Sequence, residues 1–156
     1  MALNNGHATN REMEYAIVPP VPLLRHWNGK MPATYEIDKP RRLVVTTGSG
    51  FLTLADALTH QQKLLKDPDF DPSFSQIMDL TRITEFALEA NDIRRIAQTT
   101  IFSRESRRAI VASNDLAYGF GRMFEILREI AGENGVRVFR NLDEAIDWIL
   151  SKNLTA

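Results

Sequence analysis

Apolar positions between residues 33 and 152 switch between a period of two and a period near 3.6, and each switch marks an element. Thr34–Asp38 and Leu43–Thr47 are short strand-like runs. Lys39-Pro40-Arg41-Arg42 parts them, which predicts a hairpin with a longer loop. Gly48-Ser49-Gly50 predicts the end of the second strand. Thr53 followed by Asp56 is a capping signal. Leu54, Leu58, Gln61 and Leu65, joined by Ala57 and Leu64, then mark one face of a helix that stops near Lys66, before Asp67-Pro68. The run from Asp67 to Pro72 is rich in turn residues, with Phe70 and Phe74 as its expected anchors in the core. Gln76–Leu80 predicts a short strand. A second helix is expected over Glu89–Phe102, with Ile93, Ile96, Ala97, Thr100 and Ile101 on one face. Glu89 and Asp92 lie in its first turn, where the helix dipole favours negative charge.

Arg108–Ala112 contains the unbroken apolar run Ala109-Ile110-Val111-Ala112, which predicts a strand covered on both faces. Ser113 or Asn114 caps a third helix, on which Leu116, Phe120, Met123, Phe124, Leu127 and Ile130 follow helical spacing. Gly132 and Asn134-Gly135 end it. Val136–Phe139 is the last strand. Asn141, with Glu144 three residues on, caps a fourth helix whose Leu142, Ala145, Ile146 and Ile149 face inward. The order ββαβαβαβα predicts an α/β fold: a mixed, mainly parallel sheet flanked by about four helices, with right-handed crossovers and an antiparallel edge from the opening hairpin.

Residues 1–32 break this regularity. They hold four of the seven prolines, and Ile17–Pro22 is held extended by three of them. We read 1–32 as a proline-rich extension, a tether or an arm laid over a single domain at 33–152, rather than as a polyproline ligand. Glu12–Val18 could add an edge strand to that domain.

At 156 residues the chain fits one domain, and 44% apolar with 25% charged residues excludes a disordered chain. Without cysteine there are no thiolate metal sites and no thiol nucleophile, and a cytoplasmic setting is the expectation. The polar first ten residues contain no secretory h-region, and no apolar run approaches 18 residues, so no membrane insertion is expected. Nineteen basic against twenty acidic residues argue against nucleic acid as a partner. One stretch departs from this balance. Arg94, Arg95, Arg104, Arg107 and Arg108 stand against Glu105 alone, either as a solvated helix end and strand start or as a patch for anions. His7, His26 and His60 have no second ligand at metal spacing, so no metal and no cofactor are assigned. No nucleophile–base pair, P-loop or G-x-S-x-G occurs, no residue is assigned a catalytic role, and a non-enzymatic function is expected.

A set of local motifs stands on this frame: Tyr35-Glu36-Ile37-Asp38, Arg41-Arg42-Leu43-Val44, Gly48-x-Gly50-x-Leu52-Thr53, Asp67-Pro68-x-Phe70-Asp71-Pro72-x-Phe74 and Asp79-Leu80-Thr81-x-Ile83-Thr84. Arg108-Ala109-Ile110-Val111-Ala112, Gly119-x-x-Arg122-Met123-Phe124 and Val136-Arg137-Val138-Phe139-Arg140 follow. In this order and spacing the chain resembles STAS domains, and more closely the SpoIIAA-like, STAS-like proteins of bacteria, over about 33–150. The resemblance implies a cytoplasmic regulatory or protein-interaction domain, or a carrier or sensor of a small apolar or anionic ligand. Phosphorylated antagonists of that family carry a serine in an Asp-Ser-Ser/Thr-Gly segment after the central strand. Here Thr84–Ala90 stands in its place, without serine or glycine.

Two groups of residues are candidates for function. Asp79, Thr81, Arg82 and Thr84 lie at or past the end of the central strand, where open α/β sheets bind ligands and where hydroxyls and a carboxylate could orient a polar molecule. The simpler account is that Thr81 and Thr84 make local turn hydrogen bonds and Asp79 pairs with a nearby arginine. On the third helix, interior Gly119 and Gly121 each cost about 1 kcal/mol against alanine, so close packing or a close partner should offset them. Tyr118 and Arg122, four apart, share a face beside Gly119; the three form the expected surface for a protein partner or a second copy of the chain.

Overall fold

Residues 33–152 are described by a computed structural model. The run expected to be a proline-rich extension, 1–32, lies outside the described residues, as do His7 and His26. The elements are β1 (Thr34–Asp38), β2 (Leu43–Thr53), α1 (Leu54–Lys66), β3 (Ser75–Ala87), α2 (Ala90–Gln98), β4 (Arg108–Val111), α3 (Asp115–Ile130), β5 (Val136–Phe139) and α4 (Leu142–Ser151). This is the expected ββαβαβαβα order.

The sheet runs β1-β2-β3-β4-β5, with β1 antiparallel to β2 and every later pair parallel. A chain that moves one strand over in the same direction at each crossover, with the same hand, leaves all its crossover helices on one face. Accordingly α1, α2 and α3 share a face, and α4, which follows the last strand, covers the other. Strand residues alternate between these layers. Leu43, Ile77, Ala109 and Val111 pack on Ala145 and Ile149 of α4. Val44 packs on Leu64 of α1 with Phe74 and Phe102, and Ile110, Val136 and Val138 pack beneath α3.

The caps follow the sequence. Thr53 and Asp56 form a reciprocal capping box on α1, and Asn114 and Asn141 accept from the third backbone N–H of α3 and α4. The inward stripe of α1 is centred on His60 and Leu64, leaving Leu65 exposed.

Three boundaries differ from expectation. Helix α2 ends at Gln98 rather than Phe102. The Thr99 hydroxyl donates back to the Ile96 carbonyl, and Thr100-Ile101-Phe102 loses side-chain freedom in a helix, so this run instead delivers Phe102 to the core against Phe70. Glycines 48–50 do not end β2. They carry it through two register shifts to Thr53, paired with a β3 that extends to Ala87 instead of stopping at Leu80. Bulges of this kind bend a strand. Gly50 takes φ 73°, a conformation that favours glycine, and a Cβ on Gly48 would lie 2.8 Å from the end of the Ile83 side chain, which would have to shift.

The third difference is the rotation of α3. Its buried residues are Ala117, Gly121 and Arg128, whereas Leu116 and Ile130, expected inside, are exposed. The small residues let the helix lie close on the sheet. A Cβ on Gly121 would meet Val138 at 3.1 Å and Ile110 at 3.3 Å. Close packing therefore offsets this glycine. Gly119 has no atom within 4 Å of where a Cβ would stand, and packing does not explain it.

Candidate functional site

The long β2–β3 pair overhangs the four-residue β4, and Phe86 on the overhang meets Phe120 of α3 edge to face at 6.0 Å. Beneath this contact, between the sheet and α1, α2 and α3, lies a cavity of about 120 Å3. Its wall is almost entirely apolar, with Leu52, Met78, Leu80, Ile93, Ile110 and Phe124 among its residues.

The exception is a polar row that crosses three strands. Thr46, Gln76 and Arg108 all face the cavity, and Gln76 and Arg108 are register partners in β3 and β4. Gln76 Nε2 donates to Thr46 Oγ1 at 3.0 Å, and Thr46 Oγ1 lies 3.2 Å from His60 Nε2. The Thr46 hydroxyl has a second lone pair as well as its own hydrogen, so this contact fits either tautomer of the ring. Tyr35 sets the ring of His60 from the side, edge to face at 5.6 Å. Burial lowers the pKa of this histidine, nearby Lys63 lowers it further, and the Ala33 backbone opposes them in part.

Arg108 is the charged member of the row and is only 5% exposed. Its guanidinium donates to Thr100 Oγ1 at 2.9 Å and pairs with Glu133, and it rests against the rings of Phe102 and Phe124. Glu133 is shared. Arg128 Nε donates to it at 3.0 Å, and Arg128 also donates to the Ala97 carbonyl. Two guanidiniums thus stand on one carboxylate in the interior. Burial pushes the pKa of Arg108 down to about 10, against the pull of Glu133, so it remains a cation at neutral pH. Its Nε–H has no partner among the described residues.

The four residues expected at the strand end lie along β3, which continues past Leu80. Asp79 accepts from the backbone N–H of Thr81 at 3.0 Å and from its hydroxyl at 2.6 Å, a local turn. Thr84 donates to the Gly50 carbonyl across the overhang, and Arg82 is exposed beside Ser49. None of the four lines the cavity.

On α3, Arg140 lies over the Tyr118 ring at 3.9 Å and pairs with Asp115, while Arg122 pairs with Glu125 one turn on. Gly119 lies on a stripe with Leu116, Met123, Ile126 and Ile130, of which Leu116, Ile126 and Ile130 are exposed. Among the described residues no three His, Asp or Glu side chains converge as a metal site, and no helix is long and apolar enough to cross a membrane.

His60, Thr46, Gln76 and Arg108 were not singled out by sequence as a group. The available signal was three polar residues at inward positions of otherwise apolar strands. The arginine-rich stretch 94–108 obscured it. Arg94, Arg95 and Arg104 are exposed as a solvated patch would be, but Arg107 donates to Trp148 O and Ser151, and Arg108 is interior.

No family model matches the sequence, and no curated protein matches it either. Among solved structures, an uncharacterised DUF3478-family protein from Shewanella loihica, described as having a SpoIIAA-like fold, superposes with a TM-score of 0.51 at 18% identity. The match covers 76% of this chain and 94% of that one. The strand order, the parallel register and this superposition agree with the motifs, and the chain has the SpoIIAA-like, STAS-like fold.

Proposed function

We propose that this domain is a carrier or sensor of a small, mainly apolar molecule held in the cavity between the sheet and α1–α3. The observation that carries this reading is the cavity itself, an apolar hollow with a single polar end. At about 120 Å3 it is of the same order as an engineered apolar cavity of about 150 Å3 that takes up benzene. Close-packed interiors hold few voids of this size, so a preserved one with convergent polar groups is the usual form of a ligand site. The reading is non-enzymatic, and it supposes a cytoplasmic bacterial protein.

Titrating the full chain with benzene and following its melting temperature tests this. Binding to the folded state alone raises stability by about 2.7 kcal/mol at a hundredfold excess over Kd. Ala57→Leu, which fills the cavity from α1, should abolish the rise and leave the fold intact. No shift for the wild-type chain, or an equal shift for both, would sink the reading.

A second reading, regulation through a protein partner or a second copy, is favoured by α3. Its stripe leaves Leu116 57%, Ile126 46% and Ile130 78% exposed around a glycine that packing does not require. Tyr118 and Arg122 border this stripe. Gly119→Arg should dissociate a dimer or a bound partner in sedimentation without lowering the melting temperature. A chain that is monomeric at every concentration and retains no partner would remove this reading.

A further inference from the structure

We propose that the ligand of this cavity is a small apolar monocarboxylic acid, a single ring or a short chain, with its carboxylate set against Arg108 and its body among the apolar walls. The inference rests on the cavity-binding reading and adds the chemical class of the molecule.

Charge is the first ground. Arg108 and Arg128 share the single carboxylate of Glu133, and among the described residues no acidic side chain lines the cavity. Among the described residues this cluster therefore holds one positive charge in excess. An uncompensated buried charge is costly, and an anion entering beside it would remove that cost while gaining its own partner.

Donors are the second ground. Arg108 spends its terminal nitrogens on Thr100 and Glu133 and keeps Nε–H unused. Gln76, its neighbour in register, donates to Thr46 and does not take up this N–H. A charge-assisted hydrogen bond from this N–H is the strong polar contact on offer. His60 adds no second charge, since burial holds it neutral at pH 7. One cation and one free guanidinium N–H match a carboxylate better than a phosphate, which carries more charge and more acceptors than the site can meet. The volume limits the body to about one benzene ring or a short chain.

Benzoate and hexanoate, each paired with its neutral amide, test the proposal on the full chain by isothermal titration. The acids should bind at least tenfold more tightly than benzamide and hexanamide. In 15N-labelled protein, saturating benzoate should shift the Arg108 Nε–Hε resonance. Arg108→Lys keeps the charge beside Glu133 but loses Nε–H, and it should lose most of the preference for acids; the wild-type resonance decides if this variant does not fold. Equal affinity for acids and amides would overturn the acid inference and leave the cavity reading standing. Preference for the acids without a shift at Arg108 would also overturn it, by placing the anion elsewhere. If neither acids nor amides bind, both readings fail.

Discussion

The two faces of one sheet are built from alternate residues of the same strands, and they are built differently. Toward α4 the strands present Leu43, Ser75, Ile77, Ala109 and Val111, and the layer is completed by Ala145, Ile149 and Trp148, with Ser75 as its small polar member. Toward α1–α3 the intervening positions are Val44, Thr46, Gln76, Arg108 and Ile110, and there the layer holds a cavity. A face meant only to be stable is made of aliphatic residues at crystal-like density. The second face gives up some of that density and buries polar groups, each of which must be satisfied. The first face serves as scaffold, and the second carries the proposed ligand site.

The largest test of this difference is Glu133→Gln. It removes the one negative charge between two interior guanidiniums while keeping the shape of the side chain. Breaking a buried ion pair by neutralising one partner costs about 3–5 kcal/mol. Urea unfolding should show a loss of that order. A loss below about 1 kcal/mol would mean that water reaches the cluster, and the cavity face would then be no drier than the surface.

Next in size are two truncations of the same residue type, one on each face. Ile149→Ala in the α4 layer should cost about 2–5 kcal/mol, as expected for a filled core. Ile96→Ala should cost about 2 kcal/mol or less, because Ile96 lines the cavity and some of its methyl surface already lacks neighbours to lose. Equal costs would show the two layers to be equally packed.

The contrast also explains what could be read from the sequence. Periodicity depends on which residues avoid water, and it gave the element order, the caps at Thr53, Asn114 and Asn141, and the apolar strand at Ala109–Ala112. The cavity face weakens that signal because its inward positions are not all apolar. On α3 the true inward stripe is Ala117, Gly121 and Arg128, so a search for large apolar residues picks Leu116 and Ile130 and rotates the helix. The continuation of β2 and β3 past Gly48 was hidden for a related reason. Glycine reads as a break, yet here it admits the bulges and the Ile83 side chain. Pairings such as Arg108 with Glu133, 25 residues apart, join positions that no local spacing connects.

The smallest effect belongs to His60, and its sign follows from burial. The imidazole pKa is lowered in the folded chain, while an unfolded histidine titrates near pH 6.5. Above that value both states are neutral and His60 makes no pH-dependent contribution. Below it the unfolded chain takes up a proton that the folded chain refuses, so stability is lost as pH falls, by at most about 1.4 kcal/mol per pH unit. Protonation would place a charge in an apolar wall beside Lys63 on the same helix. His60→Gln keeps a hydrogen-bonding group near Thr46 but cannot titrate. Urea unfolding at pH 7.5 and pH 5.0 should therefore show a larger acid loss in the wild-type chain than in His60→Gln. The difference between the two proteins isolates His60 from the carboxylates and from the other two histidines, which both chains share. Equal acid losses in the two proteins would mean that His60 is hydrated in the folded chain, and the polar row would then open to solvent at its α1 end.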